Sequence, residues 1–372
     1  MTYVWTPDRL DRTRAGMQAL GIEGLLVTHG SDLRYLAGYD AIVPDRLTCF
    51  VLPLAGDPVL VAPFLEAESA ARSAAGIHGI EIRTWGETDD AAAVAVSALA
   101  RGVQRVALSG RTWFDHAVRL QEALGGATLV SATPLLAELR MRKTPEEVAA
   151  VRAAAESSDR MFAALASGDV PVLGRTERAL YGDLRDLLVQ FGHVESEGNL
   201  ASGPNTGNPH HQAGERIIAA GDPLFVDIAG TMPDGYRSDC TRTFAVGALP
   251  DDEFVRIHAL VNAANAAGFE AARPGSLASE VDRAAREHIV DGGYGPRFVH
   301  RTGHGIGLDI HEAPFIVAGD DTRLDSGMCF SIEPGVYLPG RYGVRIEDIV
   351  TITDVGVERL NRTSHELAVI PA

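Results

Sequence analysis

The sequence predicts an α/β domain followed by an α+β domain, on three observations. The chain has 372 residues, a length that allows two or three domains with separate cores. In its first third, short β-branched runs alternate with Ala-rich or amphipathic stretches. Further on, long helical patterns are separated by strand-like segments that carry most of the unusual polar residues. We therefore expect domains over residues 1–135 and 136–372.

The first domain is predicted from strand patterns with helical patterns between them. Helical patterns occupy residues 91–100 and 113–124, and this rhythm is typical of a mixed or parallel sheet. The pair Gly125-Gly126 is too short to hold a phosphate and indicates a turn. The strand patterns lie at residues 25–28, 48–52, 59–62, 80–85 and 106–108.

The second domain begins with a strong helix signal. Thr144, Pro145 and Glu147 provide an N-cap, a proline at the first helical position and the acidic residue of a capping box. The predicted helix runs to Gly168, where a glycine can end it. Further helices are predicted over residues 176–190, 252–272 and 277–290.

Charge and cysteine content exclude several classes of protein. The chain has 33 basic and 50 acidic residues, a net charge of −17, and no basic run, which argues against nucleic-acid binding. Cys49, Cys240 and Cys329 show no paired spacing, as expected in a reducing cytoplasm. No signal peptide is visible in residues 1–14, and the most apolar stretch, 91–100, is shorter than the roughly 20 residues that a membrane helix needs. A soluble cytoplasmic protein is expected.

Two pairs of carboxylates lie inside apolar strand patterns. Asp227 and Asp239 flank a turn signal at residues 230–235, which predicts a hairpin with both side chains on one sheet face. Glu333 and Glu347 flank Pro339-Gly340, which predicts a second such hairpin. Four unpaired buried charges would cost several kcal/mol each. Two divalent cations would compensate them.

A neutral ligand is offered by His304, which lies among Gly303, Gly305 and Gly307. These glycines allow close backbone approach and unusual backbone angles. The oxygen-rich set suits manganese first, with cobalt or zinc as alternatives. Two such ions can ionise a shared water and promote hydrolysis at a carbonyl centre. His210 and His311 are candidates to stabilise the oxyanion and transfer protons.

At these residues the sequence resembles the pita-bread metallopeptidases, in the branch of Xaa-Pro dipeptidase (prolidase) and aminopeptidase P. The resemblance spans residue 139 to the end, and the first domain resembles the creatinase-type N-terminal domain. It implies a homodimer in which Asp227 and Glu347 bridge both metals, while one ion is served by Asp239 and the other by His304 and Glu333. Glu333 would also accept the proton of the attacking water.

The resemblance implies further roles around the metals. His210 and His311 would act at the carbonyl and the leaving nitrogen, and His300 would line the proline subsite. Tyr337 and Arg345 would support the site, with Arg345 steadying Asp227. Arg301 departs from the pattern, because many members have a small residue there, and this could alter the rim of the pocket.

Several residues receive structural interpretations instead. His211 is expected to be a solvated neighbour of His210, and Cys240 to face the core opposite Asp239. In the first domain, Arg34, Tyr35, Tyr39 and Arg46 could reach a neighbouring subunit's site, but solvated loop residues are the favoured interpretation.

The function expected is hydrolysis of the bond between an N-terminal residue and proline in dipeptides or short peptides. Aminopeptidase P on longer peptides, and a creatinase-like hydrolase or lyase of a small non-peptide substrate, remain alternatives. Methionine aminopeptidase shares the ligand set but usually lacks such a first domain. The non-enzyme alternative is a pita-bread protein-binding module, which would have lost the carboxylates and the histidine.

Overall fold

The computed structural model describes residues 4–41 and 45–371. The chain divides into two compact units, and the division falls between Arg140 and Met141. Each unit has its own buried apolar clusters.

The first unit is built on a six-stranded mixed sheet. Its strands are β1 Gly24–Thr28, β2 Cys49–Pro53, β3 Val59–Pro63, β4 Glu81–Trp85, β5 Arg105–Leu108 and β6 Thr128–Ser131. The order across the sheet is β4-β3-β2-β1-β5-β6. β2 runs antiparallel to both of its neighbours, and the other three pairings are parallel. This confirms the predicted α/β class. The sequence pattern missed β6, because this edge strand is largely open to solvent and shows little apolar alternation.

The helices of this unit include the two that were predicted. They are α1 Asp8–Ala19, α2 Ser31–Ala37, α3 Ala67–Ala71, α4 Ala74–Ile77, α5 Ala91–Val96, α6 Phe114–Leu124 and α7 Thr133–Met141. α5 ends four residues earlier than its pattern suggested. The apolar residues of α5, α6 and the sheet form one buried cluster.

The solvated-loop interpretation is wrong for two of the four residues to which it was applied. Tyr35 is only 1% exposed, and Tyr39 is buried with its hydroxyl donating to Glu66 Oε2 at 2.5 Å. Arg34 pairs with Asp40. Arg46 pairs with the exposed Glu87 at 3.1 Å. Tyr35 lies within the short helix α2, whose apolar residues are buried, and Tyr39 lies two residues after the end of α2. The sequence analysis did not predict this helix.

The second unit has four main helices. They are α8 Pro145–Ser167, α9 Glu177–Gln190, α10 Asp252–Ala271 and α11 Ala278–Asp291. The capping box of α8 is present, since Glu147 N donates to Thr144 Oγ1 at 3.3 Å and Thr144 N donates to Glu147 Oε2 at 2.8 Å. Gly168 ends α8 in the left-handed region at a φ of 85°. All four predicted helices are confirmed.

Three sheets complete this unit. Their strands are β7 Glu195–Ser202, β8 Pro223–Thr231, β9 Arg237–Val246, β10 Gly303–Gly305, β11 Glu312–Ile316, β12 Cys329–Ile332, β13 Gly335–Leu338, β14 Tyr342–Arg345, β15 Asp348–Thr353, β16 Gly356–Arg359 and β17 Val369–Ile370. The orders are β17-β9-β8-β7, β11-β10-β12-β15-β16 and β13-β14. Short 3₁₀ turns occupy Gly203–Gly207 and Gly295–Arg297 in this unit and Phe64–Glu66 in the first unit.

Helices cover one face of each of the two larger sheets. α8 packs against β8 and β9 and α9 packs against β7, and Phe162, Leu184 and Val226 belong to the buried cluster that they form. α11 packs against β11 and α10 against β12, and Val281 and Phe330 belong to the buried cluster of that sheet. Because strand residues alternate between faces, the intervening side chains of both sheets point away from the helices. Across the described ranges, no helix has both the length and the apolarity to cross a bilayer.

Candidate active site

The first carboxylate pair lies on the hairpin of β8 and β9. In this antiparallel ladder Asp227 pairs with Thr241 and Ala229 pairs with Asp239. The two aspartates are therefore diagonal neighbours on one face, as predicted. Cys240 lies on the other face, in the cluster under α8 and α9. The alternation that buries Val226 and Ile228 against the helices thus turns both aspartates away from them.

The second pair corrects the predicted geometry. β13 and β14 do form a hairpin across Pro339-Gly340, but the glutamates lie outside it. Glu333 links β12 to β13 and Glu347 links β14 to β15. Ile332 pairs with Asp348 before the links and Gly335 with Arg345 after them, in the same register, so the glutamates face each other. Proline at position 334 lacks an N–H and interrupts the ladder here.

His304 reaches the site because its neighbours are glycines. A Cβ atom on Gly303 would lie 1.8 Å from Ser331 O, and one on Gly305 would lie 2.2 Å from Ala313 O. None of Gly303, Gly305 and Gly307 has a positive φ. Close approach is therefore confirmed as the reason for these glycines, and the expectation of unusual backbone angles is wrong.

All five predicted metal ligands line one cavity of about 560 Å³. His304 Nε2 lies 3.2 Å from Glu333 Oε1 and 3.7 Å from Asp239 Oδ2. Ligand atoms of Asp239, His304 and Glu347 lie within 4.8 Å of one another. His210, His311 and Arg345 line the same cavity, together with Tyr181, Ser196, Glu197, Gly198, Asn199, Gln212, Ala229 and Ile310.

Thr241 joins the two carboxylate pairs and was not singled out from the sequence. Its hydroxyl lies 3.0 Å from Asp227 Oδ1 and 2.7 Å from Glu347 Oε2. The single hydroxyl proton can serve only one of these oxygens at a time. Glu347 N also donates to Thr241 O at 3.1 Å. The sequence signal that could have identified Thr241 is its spacing of two residues from Asp239 on the same strand, because residues two apart on a strand share a face.

The acidic groups are short of positive partners. Burial, then the charge of Asp227, raises the pKa of Asp239 to about 8. Burial, then the charge of Asp239, raises the pKa of Glu347 well above its ordinary value. Among the described residues, none offers a hydrogen bond to the buried Oε1 of Glu347. Crowded carboxylates with an orphaned oxygen and one imidazole are the donor set that hard or borderline divalent cations take, so the residues fit such ions.

Glu333 differs from the other acidic groups. Burial alone would raise the pKa of Glu333, but the hydrogen bond and charge of His304 outweigh it and lower that pKa to about 2. Ser331 Oγ also donates to Glu333 Oε1 at 3.1 Å. Glu333 is therefore ionised more readily than Asp239 and Glu347.

A chain of hydrogen bonds runs from Asp227 to the backbone beside His300. Arg345 Nη2 donates to Asp227, and Arg345 Nη1 donates to the Tyr337 hydroxyl at 3.0 Å. His300 Nδ1 lies 2.7 Å from Arg301 O, so it must carry the proton, and Nε2 then accepts from Tyr337 at 2.9 Å. Burial lowers the pKa of His300, consistent with this neutral ring. The contact between Arg345 and Asp227 matches the expected role of Arg345.

The two candidate catalytic histidines have different surroundings. The His311 ring lies edge-on to that of His304, with the centroids 4.2 Å apart. Burial, then the charge of His304, lowers the pKa of His311 to about 4, so its imidazole is neutral at pH 7. His210 is exposed, and its backbone N donates to Asn208 Oδ1 at 3.1 Å.

The residue next to His210 is an anchor, so its expected role as a solvated neighbour is wrong. His211 Nε2 lies 2.7 Å from Glu177 Oε2. Glu177 is 0% exposed, and it also accepts from Ser202 N at 2.8 Å and Gly214 N at 3.2 Å. The segment that carries His210 is thus fixed to the first turn of α9. Glu177 was missed because a Glu in the first turn of a helix ordinarily serves the helix dipole.

Comparison with known families decides the identity of the chain. The family model described as metallopeptidase family M24 matches residues 149–354, more than half of the sequence. The chain belongs to metallopeptidase family M24. The creatinase/prolidase N-terminal domain model matches residues 9–142 of this M24 metallopeptidase.

Relatives and a solved structure resemble the M24 metallopeptidase over 97–98% of its chain. A probable dipeptidase PepE of Mycobacterium tuberculosis is 42% identical over 98% of this chain and 96% of its own. An Xaa-Pro dipeptidase of Lactobacillus helveticus is 32% identical over 97% of this chain and 99% of its own. The crystal structure of dipeptidase PepE from Mycobacterium ulcerans has a TM-score of 0.92 at 41% identity and covers 98% and 97% of the two chains. The creatinase-like domain and the pita-bread catalytic domain are thereby confirmed, and the chain is a peptidase.

Proposed function

We propose that this M24 metallopeptidase hydrolyses dipeptides whose second residue is proline, using two divalent metal ions. The observation that carries the proposal is the single cavity lined by all five candidate ligands and by His210 and His311. The names of the relatives support a dipeptidase, since one is a probable dipeptidase and another an Xaa-Pro dipeptidase. The ligands would be Asp227, Asp239, His304, Glu333 and Glu347.

The cavity residues have complementary roles in this reaction. Bound ions would polarise the scissile carbonyl and make a water acidic enough to attack near neutral pH. Glu333 stays ionised at neutral pH and would accept the proton of that water. The neutral ring of His311 would donate an N–H to the developing oxyanion, and His210 would protonate the leaving nitrogen of proline. Both nitrogens of His300 are engaged by the protein, so it would offer proline its ring surface.

Three further features belong to the proposal. Manganese is the first expectation for the metal, because four carboxylates and one imidazole form an oxygen-rich set. A homodimer is expected from the resemblance to prolidases. A cytoplasmic location is expected from three buried cysteines, none of them in a disulfide.

Activity on a peptide panel tests the proposal. The protein is treated with a chelator, reloaded with Mn²⁺, and assayed on Ala-Pro, Ala-Ala and Ala-Pro-Ala. We expect cleavage of Ala-Pro that disappears on chelation and returns with metal, together with weak cleavage of Ala-Ala. Faster cleavage of Ala-Pro-Ala would identify an aminopeptidase P instead. Failure to cleave any peptide with proline in second position would contradict the proposal.

A further inference from the structure

A buried ion pair lies beside the catalytic cavity and joins Lys143 to Glu312. The sequence has 33 basic residues, and Lys143 is the only lysine among them. Its side chain is 2% exposed, and its Nζ atom lies 2.6 Å from Oε1 of Glu312, whose side chain is 10% exposed. Lysine is rarely buried unless it is paired, because removing an ammonium group from water is costly. Neither residue lines the cavity or is a candidate metal ligand, so the proposed reaction assigns the pair no role.

The surroundings of the pair suit a lysine better than an arginine. A Cβ atom on Gly307 would lie 3.1 Å from Lys143 Cε and 2.7 Å from Glu312 Oε1. The backbone of Gly307 is therefore packed against both partners. The thin stem and compact charge of lysine fit such a space, whereas the planar guanidinium of arginine needs more room. Close packing thus accounts for a lysine at this position in a chain that otherwise uses arginine.

The backbone of Lys143 is held on both sides. Its N donates to Gly327 O at 3.1 Å, and a Cβ atom on Gly327 would lie 2.3 Å from Lys143 O. The next residue, Thr144, caps α8. Lys143 is therefore a fixed anchor for Glu312, which lies 169 residues away in the sequence.

The partner of Lys143 ends the segment that carries His311. Residues 306–311 form neither helix nor strand, and they connect β10 to β11, which begins at Glu312. Glu312 Oε2 accepts from Asp309 N in this segment at 3.5 Å. Glu312 also pairs with Gly305 in the ladder of β10 and β11. These contacts connect the whole segment to the anchor at Lys143.

The ring of His311 depends on its backbone for its position. Among the residues that the structure describes, none forms a hydrogen bond or an ion pair with this imidazole. The ring lies edge-on to that of His304, with the centroids 4.2 Å apart, and His311 is otherwise exposed. A displacement of the backbone at residues 311 and 312 would therefore displace the ring, because no polar contact would retain it.

We propose that Lys143 is a positioning residue, whose ion pair with Glu312 holds His311 in the catalytic cavity. This rests on the proposed function, in which His311 donates to the developing oxyanion. Loss of either partner leaves the other as an unpaired buried charge, which is strongly unfavourable and drives the segment to rearrange. Misplacement of a catalytic group by roughly 1 Å costs up to ~100-fold in rate. The pair is therefore expected to act on kcat.

Kinetics of the Mn²⁺-loaded full chain on Ala-Pro and Ala-Ala test the proposal. Lys143→Met and Glu312→Gln each remove one charge, and the double variant Lys143→Met/Glu312→Met replaces both partners by apolar side chains. We expect kcat to fall ~10–100-fold in all three, with KM within about twofold of the wild type and unchanged metal content. The double variant should regain the thermal stability that the single variants lose, since apolar replacement of a buried ion pair is often neutral, but it should not regain kcat.

The control is Glu358→Gln, which breaks another ion pair of the catalytic unit. Glu358 Oε1 lies 2.8 Å from Arg152 Nη1, and neither residue lines the cavity. This variant should keep the wild-type kcat. A double variant Lys143→Met/Glu312→Met with the wild-type kcat, or a control that loses as much activity as Glu312→Gln, would overturn the proposal.

A second set of variants determines whether Lys143 acts through His311. Lys143→Met is introduced into the wild type and into His311→Ala. We expect it to lower kcat ~10-fold or more in the wild type but less than about twofold in His311→Ala, because a side chain that has been removed cannot be misplaced. An equal loss of kcat in both backgrounds would mean that Lys143 acts on stability or on other groups, and this would overturn the proposal.

Crystal structures of Glu312→Gln and of the double variant provide a readout without activity. We expect the His311 ring to have left its edge-on contact with His304, and a ring in the wild-type place would overturn the proposal. A wild type that cleaves Ala-Ala but not Ala-Pro contradicts the proline preference, and the kinetics on Ala-Ala then test Lys143. A wild type that cleaves neither peptide contradicts the proposed function, and the crystal structures then decide the role of Lys143.

Discussion

Three of the candidate metal ligands have a hydroxyl neighbour that donates to their carboxylates or lies within hydrogen-bond distance of them. Thr241 lies between Asp227 and Glu347, and Ser331 donates to Glu333. Behind them, the Tyr337 hydroxyl joins Arg345 to His300. Such supporting groups commonly change affinity or rate by ~10–100-fold when they are removed.

Tyr337→Phe tests the supporting hydroxyl. The variant leaves Arg345 Nη1 and His300 Nε2 without their shared partner. We expect kcat/KM on Ala-Pro to fall ~10-fold or more, with the metal content unchanged. Tyr342→Phe, which removes a hydroxyl on the neighbouring strand that bonds Asp251 instead, is the control. Equal activity of the two variants would show that Tyr337 only packs.

Some functional residues could be predicted from the sequence and others could not. Charged residues in apolar strands, such as Asp227 and Glu347, stand out because an uncompensated charge is costly there. Thr241 and Glu177 do not stand out, because threonine is ordinary in strands and glutamate is ordinary at helix starts. Their importance comes from contacts with residues distant in sequence, and no local pattern encodes those.

At the scale of elements, one anchored segment presents His210 to the cavity. Glu177 at the start of α9 accepts from Asn205 Nδ2 at 3.0 Å and from His211 at 2.7 Å. Residues 208–214 form neither helix nor strand, so the hydrogen bonds of the Glu177 carboxylate hold this segment in place. Its hydrogen bonds outweigh the cost of burial, which by itself would raise the pKa of Glu177, so that this pKa is lowered.

Glu177→Gln tests whether this anchor positions His210. The amide cannot accept from all of these donors, so we expect kcat to fall ~10-fold or more, since loss of positioning costs rate steeply. Metal content should stay the same, because no candidate ligand lies on this segment. His211→Gln should have a similar effect, and the double variant should be little worse than either single one. Fully additive effects would mean that the two residues act independently.

Elements were predicted well where the signal is local. The capping box of α8 and the turn at residues 233–235 each involve contacts within a few residues. The positions of Glu333 and Glu347 were not predicted, because the interruption of the ladder depends on the pairing of β12 with β15 and of β13 with β14. Those pairings join segments that no turn signal connects directly.

At the scale of the whole catalytic unit, buried ion pairs join its two main sheets. Arg242 on β9 donates from Nη2 to Asp348 on β15 at 2.6 Å and from Nη1 to Glu347 O at 2.5 Å. Arg359 and His365 also contact Asp348, at 2.8 Å and 2.6 Å. This cluster holds the backbone of the candidate metal ligand Glu347. Burial alone would raise the pKa of Asp348, but Arg242, His365 and Arg359 lower it to about 2.

Asp348→Asn should lower stability in a pH-dependent way. Because the pKa is depressed in the folded state, the stabilisation by Asp348 is complete above pH ~4 and is lost as the pH falls towards 2. Urea unfolding of chelated protein should therefore show a wild-type advantage over the variant that is larger at pH 6 than at pH 2, by roughly 2 kcal/mol. Asp354→Asn, on an exposed turn of the same sheet, is the control. A difference independent of pH would exclude this ionic contribution.

The central proposal is that four carboxylates, two of them buried and two partly buried, are stable beside His304 because they hold two divalent ions. Metal content per chain, measured by mass spectrometry after Mn²⁺ loading and gel filtration, tests it most directly. Removal of one ligand in Glu347→Gln should lower that content, and removal of an exposed carboxylate in Glu366→Gln should not. The account predicts two ions per chain in the wild type and in Glu366→Gln, and fewer in Glu347→Gln. A wild type that retains no metal, or a Glu347→Gln variant that retains the wild-type amount, would contradict it.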